Sequence, residues 1–229
     1  KFDYVIVGSG SAGAVLANRL TEDADVKVLV VEAGPKDHWW DWRIHMPTAL
    51  SYPMQSETYN WAYWTTPQPN LNNRRMETPR GRVFGGSSSI NGMAYVRGHA
   101  LDYNRWAEED PALKDWDYAR CLPYFRKADT RNEDPGGDEY HGNGPLHVTT
   151  GACRNDLHKA WIKAGQQAGY EFTPDQNGYR QEGLGTMDMT VYKGRRWSTA
   201  RAYLHPAMKR PNLTVYHKAF AQNIVFEGK

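Results

Sequence analysis

Three glycines and one carboxylate carry the first chemistry that can be read from this sequence. Gly8, Gly10 and Gly13 lie in residues 4–13, which read Tyr-Val-Ile-Val-Gly-Ser-Gly-Ser-Ala-Gly. The first glycine permits a sharp turn, and the second lets the backbone approach a pyrophosphate with no Cβ in the way. The third lets the helix pack closely on the strand before it. Phosphates would meet unpaired N–H groups at the helix N-terminus, where the macrodipole favours negative charge. Glu32 follows 19 residues after Gly13, at the end of a second apolar run. A carboxylate there can accept both ribose hydroxyls of an adenosine and would repel a 2′-phosphate, which argues against NADP. These residues point to an adenine dinucleotide and leave FAD and NAD equally open.

A second glycine-rich and polar run occupies residues 79–98. Gly85 and Gly86 allow close backbone approach, and Ser87, Ser88, Ser89 and Asn91 offer a row of donors and acceptors. Such a segment could cradle a polar ring system or a second phosphate; taken alone, it also reads as a solvated Ser/Gly loop. A third group is aromatic: Trp39, Trp40, Trp42, Tyr59, Trp61, Tyr63 and Trp64. Aromatic faces hold a quaternary ammonium well, and the same side chains could equally be the packed core of a lid.

The elements that must position these groups follow from periodicity. Residues 2–7 are β-branched and aromatic, residues 11–22 repeat apolar positions at helical spacing, and residues 26–31 form a second strand. Residues 156–169 place Leu157, Trp161, Ile162, Ala164 and Ala168 on one helical face, and residues 187–192 alternate as a strand does. His205-Pro206 ends a helical pattern that begins at Ala200, which reads as a helix stop. Residues 134–138, Asp-Pro-Gly-Gly-Asp, read as an exposed loop.

Composition narrows the function classes. The 229 residues carry 28 Lys and Arg against 26 Asp and Glu, a net charge of +2. No sustained basic face results, so no nucleic-acid partner is expected. No apolar run approaches the roughly 20 residues that cross a bilayer, and nothing at the start resembles a signal peptide. The expectation is therefore a cytoplasmic protein. Cys121 and Cys153 suit core packing in a reducing compartment. The eight histidines show no metal-ligand spacing, so no metal is expected.

Taken in order, the two glycine-rich motifs are joined by further segments that closely resemble the glucose–methanol–choline (GMC) oxidoreductases, and within them the choline-oxidising branch. These are residues 59–63 (Tyr-Asn-Trp-Ala-Tyr) ahead of Pro67-Gln68-Pro69, residues 98–106, residues 142–145 and residues 196–204 leading to 212–215. The resemblance runs the length of the chain. It implies an α/β fold: a Rossmann-like FAD-binding domain of GMC type, interleaved with an α+β substrate domain that carries an antiparallel sheet. It also implies FAD-dependent oxidation of a primary alcohol by hydride transfer to flavin. The leading substrate is choline, giving betaine aldehyde on the way to glycine betaine. The alternatives are an aromatic or long-chain alcohol, or a nucleotide-binding module without turnover.

By position, the resemblance assigns Gly8, Gly10, Ser11, Ala12 and Gly13 to the phosphate turn and Glu32 to the ribose. Gly86, Ser87, Asn91, Gly92 and Ala94 match positions lining the flavin and its pyrophosphate. Ala221 matches a backbone contact to adenine where valine is usual, and Trp61 matches a substrate position. Ile90 stands where some members tether FAD through histidine, so FAD is expected to be non-covalent. The family's catalytic histidine would lie C-terminal to Lys229, and residues 224–229 read as mid-strand. The chain is therefore expected to be an inactive N-terminal part with its C-terminal portion missing. The implied division is a discontinuous FAD-binding domain at 1–34, 80–98 and 212–229, a lid at 35–79 and substrate-domain material at 99–211. The electron acceptor (oxygen, quinone or dye) and the oligomeric state stay open, as does peripheral association with the inner membrane.

Overall fold

A computed structural model describes residues 1–132 and 139–227. The loop expected at 134–138 and the end of the chain at Lys229 lie outside the described residues. In chain order the opening elements are β1 (Tyr4–Val7), α1 (Ser11–Leu20), β2 (Val28–Glu32), α2 (Trp42–His45), α3 (Ser51–Met54), β3 (Tyr63–Trp64) and β4 (Glu77–Thr78). These are followed by β5 (Ala94–Tyr95), α4 (Ala100–Glu109), α5 (Tyr118–Ala128), β6 (Asp129–Arg131), β7 (Leu146–Thr150), α6 (Asp156–Gln167), β8 (Asp188–Met189), β9 (Val191–Tyr192), β10 (Arg195–Arg196), α7 (His205–Ala207) and β11 (Leu213–His217). Two compact units emerge, residues 1–93 with 193–229, and residues 94–192.

The first unit is built on a parallel sheet in the order β1-β2-β11. Ile6 aligns with Val30 on one side of β2, and Val215 aligns with Val30 on the other. Val28 and Val30 are fully buried, and Ala14 and Ala17 of α1 are equally inaccessible. β1 is an edge strand, and its Tyr4, Val5 and Val7 are half or more exposed. The segment 35–79 is not set apart from this unit. Its Ile44 and Tyr59 share a core with Val83 and Ile90 of the second glycine-rich run. Residues 193–211 also belong here, because Asn18 Nδ2 donates to the Tyr203 carbonyl at 2.8 Å. Compactness therefore divides the chain differently from the expected 35–79 and 99–211 segments. The reason is shared apolar burial, which sequence boundaries do not reveal.

The second unit holds a sheet in the order β5-β8-β7-β6. β5–β8 and β7–β8 are antiparallel, whereas β6–β7 is parallel. Helix α6 forms where expected, yet Leu157 and Trp161 are 80% and 68% exposed.

Three sequence expectations fail locally, and a fourth holds with a π-turn in the helix before it. The strand over 187–192 is broken at Thr190 into β8 and β9. The helix stop at His205-Pro206 holds: residues 200–204 form a π-helical turn that continues into α7, which ends at Ala207, one residue past Pro206. A π-turn shifts the hydrogen-bond ladder from i−4 to i−5, and Pro206 then enters at the first turn of the following segment, where a missing N–H is tolerated. No strand forms around Ile224; residues 221–227 have no regular structure, and a strand without a paired neighbour has no ladder to join. Cys121 and Cys153 are only partly buried rather than core residues. No helix among the described residues is long and apolar enough to cross a membrane.

Candidate functional site

The turn between β1 and α1 is closed by a contact that leaves no room for a side chain at Gly13, while Gly8 holds a positive φ of +91°. A Cβ on Gly13 would stand 2.0 Å from the Gly8 carbonyl oxygen, so the helix can approach the strand only with glycine there. The helix starts on Gly10, which has no side chain to cap it. The N–H groups of its first turn are left for an anion.

The second glycine-rich run packs directly on this turn. Gly85 N donates to the Ser9 carbonyl at 2.9 Å. Gly86 has φ +52°, and a Cβ on it would lie 2.7 Å from the Gly10 Cα. Two glycines some 75 residues apart therefore meet backbone to backbone. Gly81 N donates to Ser87 Oγ at 3.1 Å, closing the loop on itself.

Glu32 is 5% exposed and is fixed from two sides. Its Oε2 accepts from Ser9 N at 2.7 Å and Ser9 Oγ at 2.8 Å, and its Oε1 accepts from Gly34 N at 2.7 Å. A carboxylate oxygen has two acceptor sites, so Oε1 retains one for a further donor. The chain leaves β11 beside this residue, with Ala219 N donating to the Glu32 backbone carbonyl at 2.9 Å.

These groups line one cavity of about 280 Å³, whose wall includes Gly8, Gly10, Glu32, Trp61, Gly86 and Ala221. Six of the residues singled out in the sequence thus come together. Gly13 supports the turn from below. Ser11 and Ala12 are exposed at the start of α1, and Ser87 sits beside the cavity wall through Gly81. Asn91 and Gly92 are exposed further along the loop, and Ala94 lies in the second unit. A larger hollow of about 590 Å³, lined by Tyr103, Trp116, Arg120, Cys121, Tyr124 and Phe125, belongs to the second unit and contains none of these residues.

The aromatic segment divides. Only Tyr59 is buried; its hydroxyl donates to Asp41, which also accepts from Arg43 Nε and Nη2 at 2.8 Å. Burial, reinforced by that hydrogen bond to Asp41, pushes the Tyr59 hydroxyl up to about 12. Trp39, Trp40, Trp42, Tyr63 and Trp64 are 49–71% exposed, so they are not a packed lid core. Trp61 turns to the cavity wall, beside Phe220 at 6.0 Å and parallel to Tyr63 at 5.8 Å. The Arg82 guanidinium lies over its ring at 5.4 Å.

Sequence reading missed Ser9, Gly34 and Phe220. Ser9 carried the clearest signal, being a small polar residue between two turn glycines and so placed to reach the end of a neighbouring strand. Phe220 carried none, because its place depends on where the chain goes after β11.

The arrangement can hold a pyrophosphate at uncapped N–H groups and a sugar hydroxyl at a buried carboxylate. The model of the family described as GMC oxidoreductase matches residues 2–229. Oxygen-dependent choline dehydrogenases of Chromohalobacter salexigens and Stenotrophomonas maltophilia are 56% and 58% identical over the whole chain, and the mitochondrial choline dehydrogenase of Mus musculus is 53% identical. The chain spans 41% of the length of the two bacterial relatives and 39% of the mouse protein. Among solved structures, pyridoxine 4-oxidase from Mesorbium loti superposes with a TM-score of 0.87 at 34% identity, over 95% of this chain and 42% of that one. A formate oxidase superposes with a TM-score of 0.82 at 30% identity, over 95% of this chain and 38% of that one. Two glycine turns locked on each other beside a buried acid, with a family match over residues 2–229, have one consistent reading: the chain belongs to the GMC oxidoreductase family.

Proposed function

We propose that the protein binds FAD non-covalently and serves the oxidation of a primary alcohol, choline to betaine aldehyde, within a longer family architecture. The observation that carries this is the Gly10–Gly86 contact beside Glu32, which places the phosphate turn and the second glycine-rich loop on one cavity. The residues fit the cofactor. The uncapped start of α1 suits the pyrophosphate, Glu32 Oε1 has an acceptor site left for a ribose hydroxyl, and the backbone at Ala221 borders the adenosine end. Ser11, Ala12, Gly13, Ser87, Asn91, Gly92 and Ala94 complete the proposed contacts. Ile90 is buried in the core and carries no nucleophilic atom, which agrees with a non-covalent flavin.

Hydride acceptance from the carbinol carbon is the chemistry FAD supplies when bound. The residues of this chain bind and orient it; no base for the substrate hydroxyl is assigned among them. The identity of 53–58% to proteins named choline dehydrogenase supports choline. A different alcohol is the second reading, favoured by the structural likeness to pyridoxine 4-oxidase. Oxygen as acceptor is supported by the names of the bacterial relatives, with a cytoplasmic location and peripheral contact with the inner membrane if a quinone serves instead. Steady-state rates of the protein in its longest form, with choline, benzyl alcohol and a long-chain alcohol, decide the substrate. Choline should give the highest kcat/KM, and a higher value for either other alcohol replaces the assignment. Purified protein without flavin absorbance would remove the cofactor reading altogether.

A further inference from the structure

Arg196 is fully buried and, among the described residues, has no carboxylate within ion-pair distance. A buried charge without a counter-ion is costly, so its hydrogen bonds show what keeps it there. Nε donates to the Ile44 carbonyl at 2.8 Å, and Nη1 donates to the Asn91 carbonyl at 2.7 Å, to Asn91 Oδ1 at 2.9 Å and to the Ser88 carbonyl at 3.3 Å. Nη2 is buried with no partner. Burial brings the guanidinium down to about 10, which still leaves it a cation at neutral pH. The charge is solvated by the carbonyls of the second glycine-rich loop and of the end of α2.

The consequence falls on Asn91. Its Oδ1 also accepts from Met93 N at 3.0 Å, so both acceptor sites of that oxygen are taken by donors. Rotating the amide by 180° would set Nδ2 against a guanidinium N–H and a backbone N–H, donor facing donor. The orientation is therefore determined, and on this exposed residue both Nδ2 hydrogens remain available as donors.

We propose that Arg196 is a positioning residue: it locks the Asn91 amide with its oxygen inward, so that Nδ2 is presented as a fixed donor to an oxygen acceptor of the bound FAD. This rests on the cofactor reading above and adds the device that orients one of its contacts.

Asn91→Asp separates this role from a merely structural one. The substitution keeps the inward acceptor, gives Arg196 its missing carboxylate, and removes both outward donors. Stability and cofactor affinity should then move in opposite directions. The melting temperature of the full chain should rise by roughly 2–4 °C, while the Kd for FAD, from fluorescence titration, should weaken at least about tenfold. Arg196→Lys is the second variant, because an ammonium cannot hold both the Ile44 carbonyl and Asn91 Oδ1 through a planar fork. It should weaken FAD binding similarly and shift the visible flavin band. A Kd for Asn91→Asp within twofold of the unaltered protein overturns the proposal, as does a fall in both its melting temperature and its affinity. An unaltered protein that binds no FAD sinks the cofactor reading instead.

Discussion

Trp61 shows how far a residue type alone can carry a functional reading. A tryptophan in an aromatic run suggests a seat for a cationic substrate, and the resemblance places it there. In the fold its ring already faces a cation, Arg82 at 5.4 Å, and it borders the same cavity as Gly10 and Glu32. That face of the ring is taken, and a second cation would have to use the other one. Trp61 therefore suits an aromatic wall against the dinucleotide, where contact between a base and an aromatic side chain contributes about 1–3 kcal/mol. Trp61→Leu should weaken FAD binding roughly tenfold and leave the KM for choline within about twofold. A tenfold rise in KM with FAD binding unaltered returns Trp61 to the substrate. Glu32 was legible because its chemistry and its place at a strand end coincide. Its anchors were harder to read: Ser9 bonds to it from 23 residues away, which leaves no periodic trace, and Gly34 uses a backbone N–H that no residue type marks.

At the level of elements, β1, α1 and β2 were legible because each has one period and the turn between them has one chemistry. The elements that were misread are those whose local pattern competes with tertiary demands. Residues 187–192 alternate like one strand, yet only β8 joins the four-stranded sheet; residues around Ile224 read as a strand, yet 221–227 have no regular structure. The lock between the two glycine-rich runs was half legible. Both runs advertise close backbone approach, but nothing in either says that the approach is to the other. Gly86→Ala should reveal it, because the new Cβ meets backbone at 2.7 Å rather than a side chain that can move, and φ +52° adds strain. We expect a loss of about 2–4 kcal/mol in denaturant unfolding together with weakened FAD binding. Gly92→Ala, where a Cβ would meet nothing within 4 Å, should change stability far less. Equal losses for the two variants would show that the loop does not lock the turn.

The charge balance of the whole molecule, close to neutral, hides a concentrated ionic network in the second unit that no sequence pattern announced. Its members come from residues 97, 129, 141 and 175, distant in sequence and of types that are ordinarily solvated. Arg97 Nη2 donates to Asp129 Oδ2 at 2.6 Å with both side chains essentially inaccessible. His141 lies between two acids, its Nε2 at 2.8 Å from Asp175 Oδ2 and its Nδ1 at 3.7 Å from Asp129 Oδ2. Burial alone would lower the His141 imidazolium, but its interactions with Asp129 and Asp175 outweigh burial and raise it to about 9. A folded value above the unfolded 6.5 means that the stabilisation is fully present below about pH 6.5 and is lost as pH rises through about 9. Asp129 and Asp175 titrate the other way. Burial raises both carboxyls, but the neighbouring His141, with the Tyr95 and Arg97 hydrogen bonds on Asp129 and the Arg131 charge beside Asp175, brings them below their ordinary value, so their contribution fails only in acid. A rise of this size corresponds to about 3 kcal/mol, or roughly 6–12 °C in melting temperature for a chain of this length. Thermal melts should therefore hold level from about pH 5 to 6.5 and decline steadily to pH 9.5. In His141→Gln, which keeps hydrogen-bonding capacity without a titrating proton, the alkaline decline should disappear from an already lower plateau. A decline of the same depth in that variant would assign the alkaline loss to groups outside this network.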